Sequence, residues 1–238
     1  GTLAESKQPI STATAELLGA LLDLVSVAVI SGGDWPQFEA QVVSRLPRSA
    51  DLRRLLILPT SGTKLYGFDD GWHAVYADIF VNEEQHRIRD AIDAAVRENQ
   101  LHESKVWGDR IEDRGSQTTF SGLGQLAPLA AKKRWDPDFV KRKRLQASLR
   151  RMLPDLSVNI GGSTSIDITR KEIDKAYGMR KLAEHTAIPS PAMLFFGDAV
   201  YPGGNDYPVR AAGIETVAVR DVAETNTGVL VLIACMKP

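Results

Sequence analysis

Short apolar runs set what this chain can become. Residues 24–30 and Leu55–Leu58 are continuous and rich in Val, Leu and Ile. Each reads as a strand covered on both faces, because a strand wetted on one side would alternate. Residues 193–196 and 216–219 give two further strands near the other end of the chain. Helical segments lie between them. Pro9 with Ser11 or Thr12 opens a helix whose apolar face is Leu17, Leu18, Leu21 and Leu22. Asp34 caps a second over 35–46, with Phe38, Val42 and Val43 inward. A third covers Lys175–Thr186. Alternation of helix and strand predicts an α/β fold with a Rossmann-like parallel sheet.

The middle of the chain breaks that pattern. Asp69-Asp70-Gly71 is a hairpin turn between two strand-like stretches. Residues 83–99 read as an amphipathic helix with Ile88, Ile92 and Val96 on one face. Residues 110–125 are polar and strand-like, 138–153 a basic amphipathic helix stopped by Pro154, and 157–160 and 165–168 two short strands. These elements predict an α+β domain over 81–169, inserted into a core built from 1–80 and 170–238.

Composition excludes several classes. At 238 residues the chain suits one or two domains, and 25% charged with 43% hydrophobic residues is not a disordered composition. A net charge of −1 argues against a dedicated nucleic-acid binder. The basic stretch 132–151 carries only Trp135 and Phe139 among its charges and reads as a solvated helix face. The longest apolar stretches, 24–30 and 229–235, fall far short of the ~20 residues that a membrane span needs. No basic-then-apolar leader is visible, and the single cysteine, Cys235, favours a reducing, cytoplasmic setting. A small molecule is the expected partner, with no nucleic acid and no membrane. A homodimer stays open.

Four segments fall where an open parallel sheet places its chemistry, at the carboxyl ends of strands. Ser31 and Gly32 follow the first apolar run; a hydroxyl and backbone amides there can hold an anion, or simply turn the chain. The loop 197–206 carries Asp198, Asn205 and Asp206 with glycines. Such oxygens suit Mg²⁺, which takes one or two carboxylates, waters and phosphate oxygens; caps are the bland alternative. Lys175 opens a helix, where the dipole disfavours a cation unless an anion is near. Residues 161–167 bring Ser165 and Asp167 together as candidates for sugar hydroxyls, or form an ordinary hairpin. The histidines, His73, His86, His102 and His185, are scattered, with no zinc-like spacing.

In this order the segments resemble the haloacid dehalogenase superfamily. Its second motif is a Ser or Thr after an apolar strand, here Val29-Ile30-Ser31-Gly32. Its third is a helix-borne Lys, here Lys175. Its fourth is an acidic loop, here Gly197-Asp198 and Gly204-Asn205-Asp206. The chain is more closely similar to the eukaryotic-type phosphomannomutase branch. There, Phe196-Gly197-Asp198 with Pro202-Gly203-Gly204-Asn205-Asp206 resembles the metal loop, and Gly161-Gly162 with Ser165-Ile166-Asp167 the sugar-phosphate segment. The resemblance implies a superfamily core with a large α+β cap.

It also implies chemistry. The family's first motif, Asp-x-Asp with a following Gly-Thr, has only its tail here as Gly1-Thr2. The expectation is that both aspartates lie ahead of residue 1, and that without them the chain does not turn over. With them, the resemblance implies an aspartyl-phosphate intermediate and Mg²⁺ at Asp198 and Asp206. Ser31 and Gly32 would hold the phosphoryl group, Lys175 would neutralise it, and Asn205 would complete the loop. Arg114, Ser165 and Asp167 would hold the sugar phosphate. A mutase needs several arginines for the distal phosphate. Gln125 stands where a second arginine would be expected, and a neutral amide grips phosphate less well. That leans the reading to a sugar-phosphate phosphatase, with a hexose-phosphate mutase beside it and a non-catalytic sugar-phosphate binder as the contrasting class. Arg110, Lys132 and Lys141 are the residues that could compensate.

Overall fold

A computed structural model describes residues 1–5, 8–161 and 163–237. Gly162, in the sugar-phosphate segment, lies outside the described residues. The chain divides into two compact units, Gly1–Ala77 with Asp174–Pro238, and Asp78–Ile173.

In the first unit α1 (Thr12–Leu22) starts where Ser11 Oγ accepts the Thr14 N–H at 3.1 Å. Its end comes later than the apolar run suggests. The Leu24 and Val25 N–H groups both return to Leu21 O, so the strand expected over 24–30 shortens to β1 (Val27–Ile30). Asp34 does cap α2 (Trp35–Gln41), its carboxylate accepting the Trp35 N–H at 2.8 Å. The α-helix ends at Gln41 rather than 46, because β-branched Val42 leaves helical geometry and Val43–Arg45 continue only as a 3-10 turn. Strands β2 (Leu55–Leu58), β3 (Lys64–Phe68) and β4 (Trp72–Ala77) complete a four-stranded sheet, parallel at β1–β2 and antiparallel beyond. After α6 (Lys175–Thr186), β9 (Leu194–Gly197) pairs in parallel with β10 (Glu215–Ala218), separated by the short α7 (Tyr207–Ala211). Thus β1 and β9 each have one strand partner among the described residues, and the parallel pairs belong to two sheets rather than one.

Alternation along the strands buries both faces. Val29, Leu55 and Ile57 pack on Leu18, Leu22 and Phe38. Leu58 and Leu65 pack on Met179 and Leu182 of α6, with Phe195 of β9. The apolar stretch 229–235 is the second half of α8 (Val222–Met236), which seats Val229 and Ile233 against Leu21. No helix among the described residues is long and apolar enough to cross a membrane.

The second unit holds α3 (Asn82–Glu98), β5 (Ile111–Asp113), β6 (Gln117–Ser121), α4 (Leu129–Trp135), α5 (Val140–Met152), β7 (Leu156–Ile160) and β8 (Ser165–Arg170). Its antiparallel sheet runs β5-β6-β8-β7. One face, with Phe120, Ile166 and Ile168, closes on Ile88 and Ile92 of α3 and Leu145 and Leu149 of α5. The other face is polar. The unit begins at Asp78 and ends at Ile173, outside the expected limits of 81 and 169. Arg170 explains this: it donates to Asp78 and, at 2.7 Å, to Glu84, tying the two ends of the segment together.

The basic run of α5 is largely spent internally. Arg142, 3% exposed, donates to the 1% exposed Asp136 at 2.8 Å, and Asp136 also accepts the Lys141 and Arg142 N–H groups. Burial raises the Asp136 carboxyl, but these donors outweigh it and hold it below the ordinary aspartate value. Asp136→Ala strands a buried guanidinium and should cost about 3–5 kcal/mol in urea denaturation. In the unchanged protein this contribution is present above the unfolded aspartate pKa of about 3.9 and is lost as pH falls through the lowered folded value. The difference between the two proteins should therefore shrink in acid.

Candidate phosphoryl site

The first unit carries Ser31 and Asp198 directly after β1 and β9, Lys175 at the start of α6 and Asp206 at the start of α7. Ser31 follows β1; its N–H donates to Leu58 O at 3.3 Å, and its Oγ accepts the Gly33 N–H at 3.5 Å. Gly32 is exposed, with open space where a side chain would stand. With the Ser31 and Gly33 amides already bonded, the Ser31 hydroxyl beside the exposed Gly32 backbone is the anion candidate of this loop.

Lys175 is the first residue of α6, capped by Asp174 through the Tyr177 N–H at 2.8 Å. Its Nζ donates to Asp206 Oδ1; the lysine side chain is 13% exposed and the aspartate 0%. The second oxygen, Oδ2, accepts the Ala199 N–H at 2.9 Å. Gly197 makes room for it, since a Cβ there would stand 2.7 Å from Asp206 Oδ2. The carboxylate expected as a metal ligand is therefore buried and committed to the lysine and the loop backbone.

Asp198 is different. It is 38% exposed and directly follows β9. Burial raises its carboxyl, but the Thr2 hydroxyl at 2.6 Å, the amino terminus, its own backbone and Lys175 together hold it below the ordinary aspartate value. It stays a carboxylate at neutral pH. Asn205 lies exposed in the loop, its side chain without a hydrogen bond among the described residues. No cluster of three metal-ligating side chains occurs among the described residues. Mg²⁺ does not require one, because it keeps several waters and takes phosphate oxygens. A half-exposed, ionised Asp198 fits that donor set; Asp206 does not.

The second unit places Arg114, Ser165 and Asp167 on or beside the polar sheet face. Glu112, Thr119, Asp167 and Asn159 stand in one row of register. Gln117 donates to Thr119 at 2.9 Å, and Thr119 to Asp167 at 2.8 Å. Arg114 donates to Glu112 at 2.8 Å. Ser165 opens β8, paired with Ser121. The Gln125 carbonyl accepts from Lys132 at 3.1 Å, while its side-chain Nε2 is buried and makes no hydrogen bond. The candidates for compensation are committed to different degrees, and Arg110 keeps a buried Nε without a hydrogen bond. Arg110 lies 4.8 Å over the Phe120 ring and donates to Leu101 O, and Lys141 reaches Glu103. Gln117 and Thr119 carry no mark in the sequence, and Thr2 enters there only as the tail of the first motif. The alternation of β8 marks Asp167, but Gln117-Thr118-Thr119-Phe120-Ser121 has one apolar residue and hides its faces.

A family model described as eukaryotic phosphomannomutase matches residues 99–229. A phosphomannomutase of Oryza sativa subsp. indica is 24% identical over 94% of this chain and 90% of its own length. Among solved structures, a haloacid dehalogenase-like hydrolase from Bacteroides thetaiotaomicron aligns with TM-score 0.68 and 15% identity, covering 98% of this chain and 96% of that one. An IMP-bound IMP-nucleotidase of Plasmodium falciparum aligns with TM-score 0.66 and 13% identity, over 99% of this chain and 65% of that one. These structures share the haloacid dehalogenase fold with this chain.

Because Asp206 is wholly buried, Lys175→Ala should do more than remove a cation. It leaves a carboxylate without its countercharge, and the expected cost is about 3–5 kcal/mol in denaturant unfolding. A loss below about 1 kcal/mol would show that the pair contributes as little as an exposed one.

Proposed function

The chain belongs to the eukaryotic phosphomannomutase family, and on that premise we propose that it performs Mg²⁺-dependent phosphoryl transfer on a sugar phosphate, as a phosphatase. In this reading Ser31 and the Gly32 backbone hold the phosphoryl oxygens. Lys175, fixed by Asp206, offsets their negative charge as it grows in the transition state. Asp198 would hold Mg²⁺, which supplies charge neutralisation at the phosphoryl group. Asp206 acts here as the group that orients Lys175. Asn205 faces solvent and is assigned to the rim of the site. Arg114, Ser165 and Asp167 bind the substrate's hydroxyls and phosphate, with Gln125 as a neutral donor. The nucleophilic aspartate has no counterpart among Asp198 and Asp206, both held by partners.

One observation supports hydrolysis over mutation of the phosphate position. The amide of Gln125 is buried and uncharged, and Arg114 is shared with Glu112. A phosphate moved from one hydroxyl to another must be gripped at its distal end by strong cations. Family membership favours the second reading, a phosphomannomutase.

The test uses the full-length protein with Mg²⁺ and mannose 1-phosphate, with and without a hexose bisphosphate. Free phosphate as the main product is expected. Isomerisation to the 6-phosphate, stimulated by the bisphosphate, would replace the phosphatase reading with the mutase one. Gln125→Arg should raise the isomer-to-phosphate ratio by about tenfold, the worth of one charge-assisted hydrogen bond.

A further inference from the structure

Directly after β2 the backbone does something costly. Thr60, Ser61 and Gly62 have φ of 48°, 59° and 86°, three consecutive residues in the left-handed region, two of them not glycine. Side chains rarely tolerate this, and such strain persists only where the surroundings hold it. The surroundings are explicit. The Thr60 N–H donates to Gly33 O and the Ser61 N–H to Ser31 O, each at 2.9 Å. Thr60 is fully buried, its hydroxyl against that of Thr63. The Tyr76 hydroxyl donates to Gly62 O, and the Tyr76 ring stacks on His185 of α6 at 4.6 Å.

The turn also touches the lysine helix. A Cβ on Gly62 would stand 2.2 Å from Gly178 Cα. A Cβ on Gly178 would meet Ile30 Cδ1 at 2.4 Å and Ser61 O at 2.8 Å. Gly178 is in the first turn of α6, three residues after Lys175, and Ile30 immediately precedes Ser31. A regular turn would satisfy the chain's need to pass from β2 to β3. This one bonds the Ser31 and Gly33 carbonyls and lies glycine against glycine on the helix that presents Lys175.

We infer that the left-handed turn Thr60–Gly62, seated against Gly178, sets Ser31 relative to Lys175, so that Ser61, Gly178 and Tyr76 are positioning residues for the phosphoryl group. This rests on the reading of Ser31 and Lys175 as its ligands. The turn touches no substrate; it acts through the carbonyl of Ser31 and the seat of α6.

The test is calorimetric binding of inorganic phosphate in Mg²⁺ buffer, with thermal unfolding of each variant alongside. Gly178→Ala separates the helix from the turn and should weaken phosphate about tenfold, while Tyr76→Phe, which keeps the ring, should weaken it about threefold. If Gly178→Ala does not fold, Tyr76→Phe decides. Placed on Ser31→Ala, Tyr76→Phe should cost almost nothing further, because the misplaced hydroxyl is already gone. A purely structural turn predicts the opposite: a lower unfolding midpoint, unchanged phosphate affinity in either folded variant, and additive effects, and that result overturns the inference. Phosphate affinity equal in Ser31→Ala and the unchanged protein would refute the site reading itself, and the inference with it, whatever the turn variants do.

Discussion

The first unit is organised around one buried charge. Asp206 is without solvent contact, and a carboxylate there is tolerable only with a countercharge and hydrogen-bond donors. Lys175 supplies the charge and the Ala199 amide a donor. The same contact resolves a local conflict. A lysine at a helix start opposes the dipole, and the aspartate offsets that penalty from outside the helix. Because α6, β9 and the loop after it must converge for the pair to form, the geometry of the phosphoryl site and the packing of Met179, Leu182 and Phe195 are one problem.

Much of this was legible in the residues, and the failures have physical causes. Lys175–Thr186 has an Asp cap and a clear apolar face, so its limits in structure equal those read from sequence. Residues 24–30 misled because Leu24 and Val25 are apolar for two reasons, closing α1 and leading into β1, and apolarity alone does not separate them. Asp206 has the local context of a metal ligand. Only the long-range approach of Lys175, 31 residues away, shows it to be a buried anchor. The turn at Thr60–Gly62 was invisible for a stronger reason: Thr and Ser have no preference for positive φ, so the tertiary contacts impose it.

The polar sheet face of the second unit obeys a different constraint. Gln117, Thr119 and Ser121 are each less than 5% exposed, so their hydroxyls and amide need partners, whereas Thr169 Oγ1, paired across from Gln117, makes no hydrogen bond. The chain Gln117–Thr119–Asp167 meets that demand internally and fixes the aspartate's direction. Gly161 leaves room for that direction, since a Cβ would stand 2.7 Å from Asp167 Oδ2. Asp167 is thus held in one orientation, as the proposed recognition of sugar hydroxyls requires.

Several arginines of that unit already face carboxylates. Arg142 is spent on Asp136, Arg151 on Glu98, Arg170 on Asp78 and Glu84, and Arg114 on Glu112. An arginine with a carboxylate partner can still meet a phosphate, but it must leave or share that partner, and the exchange cancels much of the Coulomb gain. Gln125 carries no such commitment and no charge. Its buried Nε2 lacks a bond, which costs the folded state and is relieved by an oxygen acceptor. A sugar hydroxyl meets that need as well as a phosphate oxygen does, while Arg110, whose buried Nε also lacks a hydrogen bond, is a cation with no ion pair among the described residues.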